Sequence, residues 1–106
     1  MNAKERGEYI NRTLKQCLDV LAGKGAEYSR AQEDVNSNFK RVGVILNKPP
    51  AYAALVYFIK HADSIFHYLE VGGEPSGEPI QGRIVDLVNY ALIIGSLIEE
   101  AKNEVA

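Results

Sequence analysis

The chain has no tryptophan, one cysteine, one methionine and four prolines in 106 residues. A single cysteine excludes an internal disulfide framework, so a packed core has to hold the fold. Cys17 falls in step with the apolar residues of a helical stripe, which makes it an expected buried structural thiol, and its isolation fits a reducing compartment. An excess of one charge sign is missing too. Twelve Lys and Arg stand against 14 Asp and Glu, for a net charge of −2, and no basic field is available to hold a nucleic-acid backbone. No apolar run reaches the roughly 20 uncharged residues of a membrane-spanning helix. The opening "MNAKERGEYINRTLKQ" has no apolar centre of signal-peptide length. The expectation is a soluble cytoplasmic protein, in the host cytoplasm if a phage encodes it, that engages neither membrane nor nucleic acid. Strand-type alternation, internal repeats and low-complexity segments are also lacking.

What is present is helical spacing over one domain, 1–106. Tyr9, Ile10, Leu14, Cys17, Leu18 and Leu21 recur at three and four, and Gly23 and Gly25 are expected to end that stripe. Val35, Phe39, Val42, Ile45 and Leu46 draw a shorter stripe that Asn36 or Ser37 could cap and "NKPP" closes. Pro50 suits a first turn, and Leu55, Val56, Phe58, Ile59, Ala62, Ile65, Phe66 and Leu69 follow it up to the loop "VGGEPSGEP". Glu78 and Pro79 suit the start of a fourth helix, whose apolar residues from Ile84 to Ile98 cover more than one face. The spacing predicts helices over about 3–22, 36–47, 50–70 and 79–103 in an all-α four-helix bundle. So wide an apolar cover predicts that the fourth helix, Ile94 included, is a dimer seam.

Polar residues inside apolar helices are the informative exceptions, because burying them is costly unless they are paired or bound. The third helix carries Lys60, His61, Asp63, Ser64 and His67, and the fourth carries Arg83, Asp86, Asn89 and Tyr90. Ahead of them, "GAEYSRAQEDVNSNFKR" crowds Glu27, Asp34 and Asn38 between two apolar stripes. That stretch is either a solvated connector or the rim of a pocket for a small anion. Asp63 with His67 is equally readable as a surface pair at i,i+4, and Arg83 with Asp86 as a first-turn ion pair. His61 alone is more often a core histidine than a ligand. Tyr52, Tyr57, Phe58 and Phe66 read as packing.

These same segments, "KGAEYSRAQEDVNSNFKR", "KHADSI" and "EPIQGRIVDLVNYALIIGSLIEE", resemble small helical proteins encoded by phages and prophages. Their pattern is Glu-Tyr, Asn-Phe-[Lys/Arg], Lys-His-x-Asp and Glu-Pro-Ile-x-Gly-Arg-x-x-Asp-x-x-Asn-Tyr. The likeness runs from about Gly23 to Glu100, and Glu78, Gly82, Arg83, Asp86, Asn89 and Tyr90 all fall in step with the last motif. Such proteins are distantly similar to the all-α nucleoside triphosphate pyrophosphohydrolases, a group that includes MazG-like enzymes and dimeric dUTPases.

The resemblance implies a bundle completed by dimerisation and a nucleotide ligand, with magnesium held by acidic side chains from several helices. Glu27, Asp34, Asp63 and Asp86 are the carboxylates it implies for the metal, with Glu27, Asp63 and Asp86 in catalysis. Asn38, Lys60, His61, Arg83, Asn89 and Tyr90 are the implied substrate contacts, Arg83 as the bidentate phosphate ligand. The chain departs from the group's paired Glu-x-x-Glu/Asp motifs. Arg83 stands where the acidic partner of Asp86 belongs, and Glu27 is followed by Tyr28, Ser29 and Arg30. Three functions are therefore expected as alternatives: a magnesium-dependent pyrophosphohydrolase, a nucleotide- or signal-binding module without turnover, and an interaction module acting on a host protein.

Overall fold

A computed structural model describes residues 1–28, 34–74 and 77–105, with side chains set aside at 24–28 and 105. Four helices, α1 (Ala3–Tyr28), α2 (Ser37–Leu46), α3 (Pro50–Val71) and α4 (Ile80–Val105), follow one another with no strand among the described residues. The all-α expectation holds.

Local chemistry explains most helix boundaries. The Glu5 amide donates to Asn2 Oδ1 at 2.9 Å and the Asn2 amide to Glu5 Oε1 at 3.4 Å, a reciprocal capping box that starts α1. α1 does not stop at the glycines but continues through Gly23 and Gly25 to Tyr28. Glycine weakens a helix interior by about 1 kcal/mol without breaking it. Asn36 precedes α2 without a side-chain cap. Asp34 serves that end instead, its Oδ1 accepting from the Asn36 amide at 2.9 Å and its carbonyl from the Ser37 amide at 3.2 Å.

α2 closes on Asn47 at φ 55°. The Lys48 amide returns to the Gly43 carbonyl at 2.9 Å and the Asn47 amide to the Val44 carbonyl at 3.2 Å, the two bonds of a Schellman stop. The same turn runs directly over Gly43, where a Cβ would lie 2.9 Å from the Lys48 carbonyl and 3.1 Å from Pro50 Cα. Pro50 then begins α3, and Gly72, at φ 71°, ends it, its amide donating a hydrogen bond to the Tyr68 carbonyl at 2.8 Å.

α4 is the central element. α3 runs antiparallel to it, with Tyr57 opposite Tyr90 and His61 opposite Arg83 and Asp86. α1 runs parallel to it, so that Tyr9 and Thr13 meet Gln81 while Cys17 meets Val85 and Asn89. α2 turns by 100° from α3 and lies across the end of the molecule where Asn36 reaches Ser96 and Glu100 of α4. The arrangement is thus three long helices with a short crosspiece. Its core joins Ala54, Tyr90 and Leu97, with Phe39, Ala51, Phe58, Ile93 and Ile94 packed around them. α3 and α1 flank α4 on two sides. Ile93 and Ile94 pack against this core, while Leu92 and Ile98 of the same helix are 52% and 46% exposed. No single helix is long and apolar enough to cross a membrane.

Candidate ligand site

The polar residues of α3 and α4 converge where the two helices cross near His61. His61 is buried, and its ring stacks on Tyr90 at a centroid distance of 5.5 Å. Tyr57, one turn earlier, stacks on the same ring at 5.3 Å, and Phe39 meets it edge-on at 6.5 Å. Tyr90 is therefore a packing hub, and the rings around it hold the His61 imidazole in one orientation.

Arg83 Nη1 approaches His61 Nδ1 at 3.4 Å. A guanidinium only donates, so Nδ1 is the acceptor and the imidazole proton is assigned to Nε2. Nε2 looks toward Asp86 Oδ2 at 3.8 Å. Arg83, His61 and Asp86 thus form a chain across the α3–α4 contact. The ion pair of Arg83 is not with Asp86 but with Glu78, at 2.8 Å, whose side chain is 63% exposed. Arg83 Nε is buried and has no hydrogen-bond partner among the described residues. Nearby, Lys60 is exposed to solvent.

Other residues singled out by the sequence stand apart from this cluster. Asp63 and His67 line a shallow groove with Ser64, Phe66 and Glu70, all on α3, and Ser64 Oγ donates back to the Lys60 carbonyl at 3.2 Å. Asn38 Oδ1 accepts from Arg41 Nη2 at 3.2 Å on the exposed side of α2. Asp34 bonds Lys40 Nζ at 2.6 Å, and Lys40 also pairs with Glu100. That lysine holds the Asp34 carboxyl below its ordinary value, helped by the Asn36 amide. Glu100 lies 14 positions beyond Asp86 on α4, about 21 Å along a helix, so Asp34 serves the far end of the molecule. Glu27 falls in the last turn of α1, and its side chain lies outside the described residues.

Asn89 is 3% exposed and donates to the Cys17 carbonyl at 3.0 Å, while its Oδ1 is buried without a partner among the described residues. Burial pushes the Cys17 thiol up from 9.0, and the nearby Asp86 carboxylate adds to the rise. Cys17 accordingly behaves as the structural thiol its place in the stripe implies. Sequence reasoning missed Gln81, which accepts from Tyr9 Oη at 2.7 Å and donates to Thr13 Oγ1 and Gln16 Oε1 at 3.1 Å each. The available signal was Thr13, a hydroxyl set within an apolar stripe.

Magnesium can be tested against these donors. Among the described residues no group of three or more His, Cys, Asp or Glu is arranged to hold a metal ion. Asp86 faces the His61 imidazole, Nε2 to Oδ2 at 3.8 Å. Magnesium asks for only one or two carboxylates besides substrate oxygens and water, and Asp86 is the carboxylate present at this crossing. Comparison with protein-family models, curated proteins and solved structures finds no match to this chain.

Proposed function

We propose that this protein binds a nucleotide or a related phosphate-bearing small molecule at the α3–α4 crossing, in keeping with the phage-type helical proteins its motifs resemble. The observation that carries this reading is Arg83. It is fixed at one corner by His61 and at the other by the exposed Glu78, and a buried Nε is left over. A guanidinium held in this way presents paired donors to a phosphate, and Glu78 is a counter-ion that an incoming anion displaces. Lys60 adds a second positive charge from α3. The reading makes the chain a binding module, with turnover reserved for the case in which Glu27, Asp63 and Asp86 prove to act together.

Isothermal titration with a panel of nucleoside triphosphates, with and without magnesium, tests this while pyrophosphate release is followed in the same samples. The expected result is saturable binding that Arg83→Ala weakens about 10- to 100-fold, as for a lost hydrogen bond to a charged group. Glu78→Gln tightens it by removing the competing carboxylate. Absence of binding across the whole panel overturns the proposal. Magnesium-dependent release abolished by Asp86→Asn would make the protein an enzyme.

A further inference from the structure

α2 turns an apolar face to solvent. Asn36, Phe39 and Gly43, spaced at three and four, lie on its inner side, buried or packed on the core. The same spacing puts Arg41, Val44 and Ile45 on the outer side, with Lys48 just past the helix end. Val44 and Ile45 are 81% and 74% exposed, and Leu46 beside them 53%. Met1 apart, no large apolar side chain among the described residues is more exposed than these two. A helix lying on a protein in water usually turns polar residues outward, and α2 turns aliphatic ones.

The charge around this face is one-sided. From Val35 to Ala62 the chain has four basic residues, Lys40, Arg41, Lys48 and Lys60, and no acidic one. The net charge of −2 averages that segment with an acidic remainder. Lys40 is taken up by Asp34 and Glu100. Arg41 bonds the neutral Asn38, and Lys48 lies over the Tyr52 ring at 5.4 Å, neither paired with a carboxylate among the described residues. Two cations thus flank two bare aliphatic side chains, with a tyrosine ring at their edge. The outer side of α3 is apolar further along as well, but there Asp63 and Glu70 stand beside Phe66. Toward this end of α4, Glu99 and Glu104 are exposed, so charge alone is a weak hold on an anion and the apolar side chains have to share it.

We infer that α2 lies in the interface of an anionic phospholipid membrane, with Val44 and Ile45 among the acyl chains and Arg41 and Lys48 at the headgroups. An interfacial helix buries its apolar face about 5–10 Å deep, and long basic side chains reach back from it to the headgroups. Tyr52 stands at the boundary level where tyrosine rings are favoured. A nucleic acid offers phosphates of the same charge but no apolar phase for Val44 and Ile45. Because α2 is turned by 100° from α3, laying α2 flat on the surface stands α3 and α4 away from it. His61 follows Pro50 by 11 positions, about 16 Å along a helix. The α3–α4 crossing therefore stays in water, and the inference does not depend on a nucleotide being bound.

Cosedimentation of the full chain with vesicles tests this. Vesicles of equal parts phosphatidylserine and phosphatidylcholine are expected to pellet it, and vesicles of phosphatidylcholine alone are not. Arg41→Gln and Lys48→Gln should each lower the partition about fivefold, the weight of one basic side chain near an anionic surface. Ile45→Asp should abolish pelleting with helical circular dichroism unchanged, since that side chain is already in water, whereas Leu69→Asp, exposed near the far end of α3, leaves it intact. The chain has no tryptophan, so Ile45→Trp supplies a single probe whose emission shifts to the blue on the anionic vesicles, and Leu69→Trp does not shift. No pelleting with the anionic vesicles, equal pelleting with the neutral ones, or binding that survives Ile45→Asp overturns the inference. A dimer of the free chain that Ile45→Asp breaks would give this face to a second copy and overturns it as well.

Discussion

The side-chain amide of Asn89 donates to the backbone carbonyl of Cys17 at 3.0 Å, joining α4 to α1 across 72 positions of sequence. Both groups are buried, and the Cys17 carbonyl keeps its helical partner within α1, so removing Asn89 deletes one buried hydrogen bond and leaves the volume of its side chain empty. Asn89→Ala is expected to lower stability by about 1–3 kcal/mol. The change should be read as a lower urea midpoint with an unchanged slope. Ligand affinity of the folded variant should stay within a factor of a few of the parent, since Asn89 faces α1 and not Arg83. A large drop in affinity at full folding would return Asn89 to the binding residues.

Gly43 sits beneath the turn that reverses the chain from α2 into α3, and an added methyl would press on the Lys48 carbonyl and Pro50. Both contacts are backbone, and neither has a flexible side chain that could move aside. Gly43→Ala should destabilise the protein by about 1–3 kcal/mol, the usual cost of overpacking. Gly95→Ala, where a Cβ meets nothing within 4 Å, should instead raise stability by up to about 1 kcal/mol through helix propensity. Paired thermal melts distinguish the two, and equal behaviour would show that the turn relaxes around the extra methyl.

Asp34 links acid sensitivity to the far end of α4. The Lys40 hydrogen bond holds its carboxyl below the ordinary 3.8 in the folded chain. The unfolded chain therefore takes up this proton first as pH falls. The contribution of Asp34 is present above its unfolded value and is lost as pH drops through the folded one. Asp34→Asn should be less stable at neutral pH, and the difference from the parent should shrink below about pH 4, where the unfolded carboxyl protonates. Chemical denaturation at a series of pH values checks this, and a difference that stays constant into acid would assign the stability to something other than charge.

The helices were legible because their stripes and their punctuation agree. Pro50 opens α3 where a first-turn proline belongs, and the glycines after Val71 close it. The extent of α1 was hidden because glycine marks a helix end only when the chain takes positive φ there, which spacing alone does not reveal. The neighbours of α4 were hidden for a related reason. A stripe tells which residues avoid water but not which neighbour covers them: on α4, Ile93 and Ile94 pack on the core while Leu92 and Ile98 are half exposed. In the candidate site, Arg83, His61 and Asp86 were found because polar residues interrupting apolar helices are conspicuous. The replacement of Asp86 by Glu78 as the partner of Arg83 was not, since Glu78 lies before the first turn of α4 and its reach depends on how the preceding loop enters the helix.

The parallel placement of α1 beside α4 carries a kinetic consequence. Contact between His61 and Arg83 closes a loop of 22 positions, and contact between Tyr9 and Gln81 one of 72, a difference of about 1 kcal/mol in closure entropy. The α3–α4 hairpin is thus expected to form first, with α1 docking onto a surface already assembled. Interactions made only after the rate-limiting barrier change the unfolding rate and leave the folding rate alone. Thr13→Ala should accordingly speed unfolding in stopped-flow measurements without slowing refolding, and slower refolding would place α1 in the nucleus. On this order α1 is the outermost layer of the folding landscape, the last helix to arrive and the first to leave.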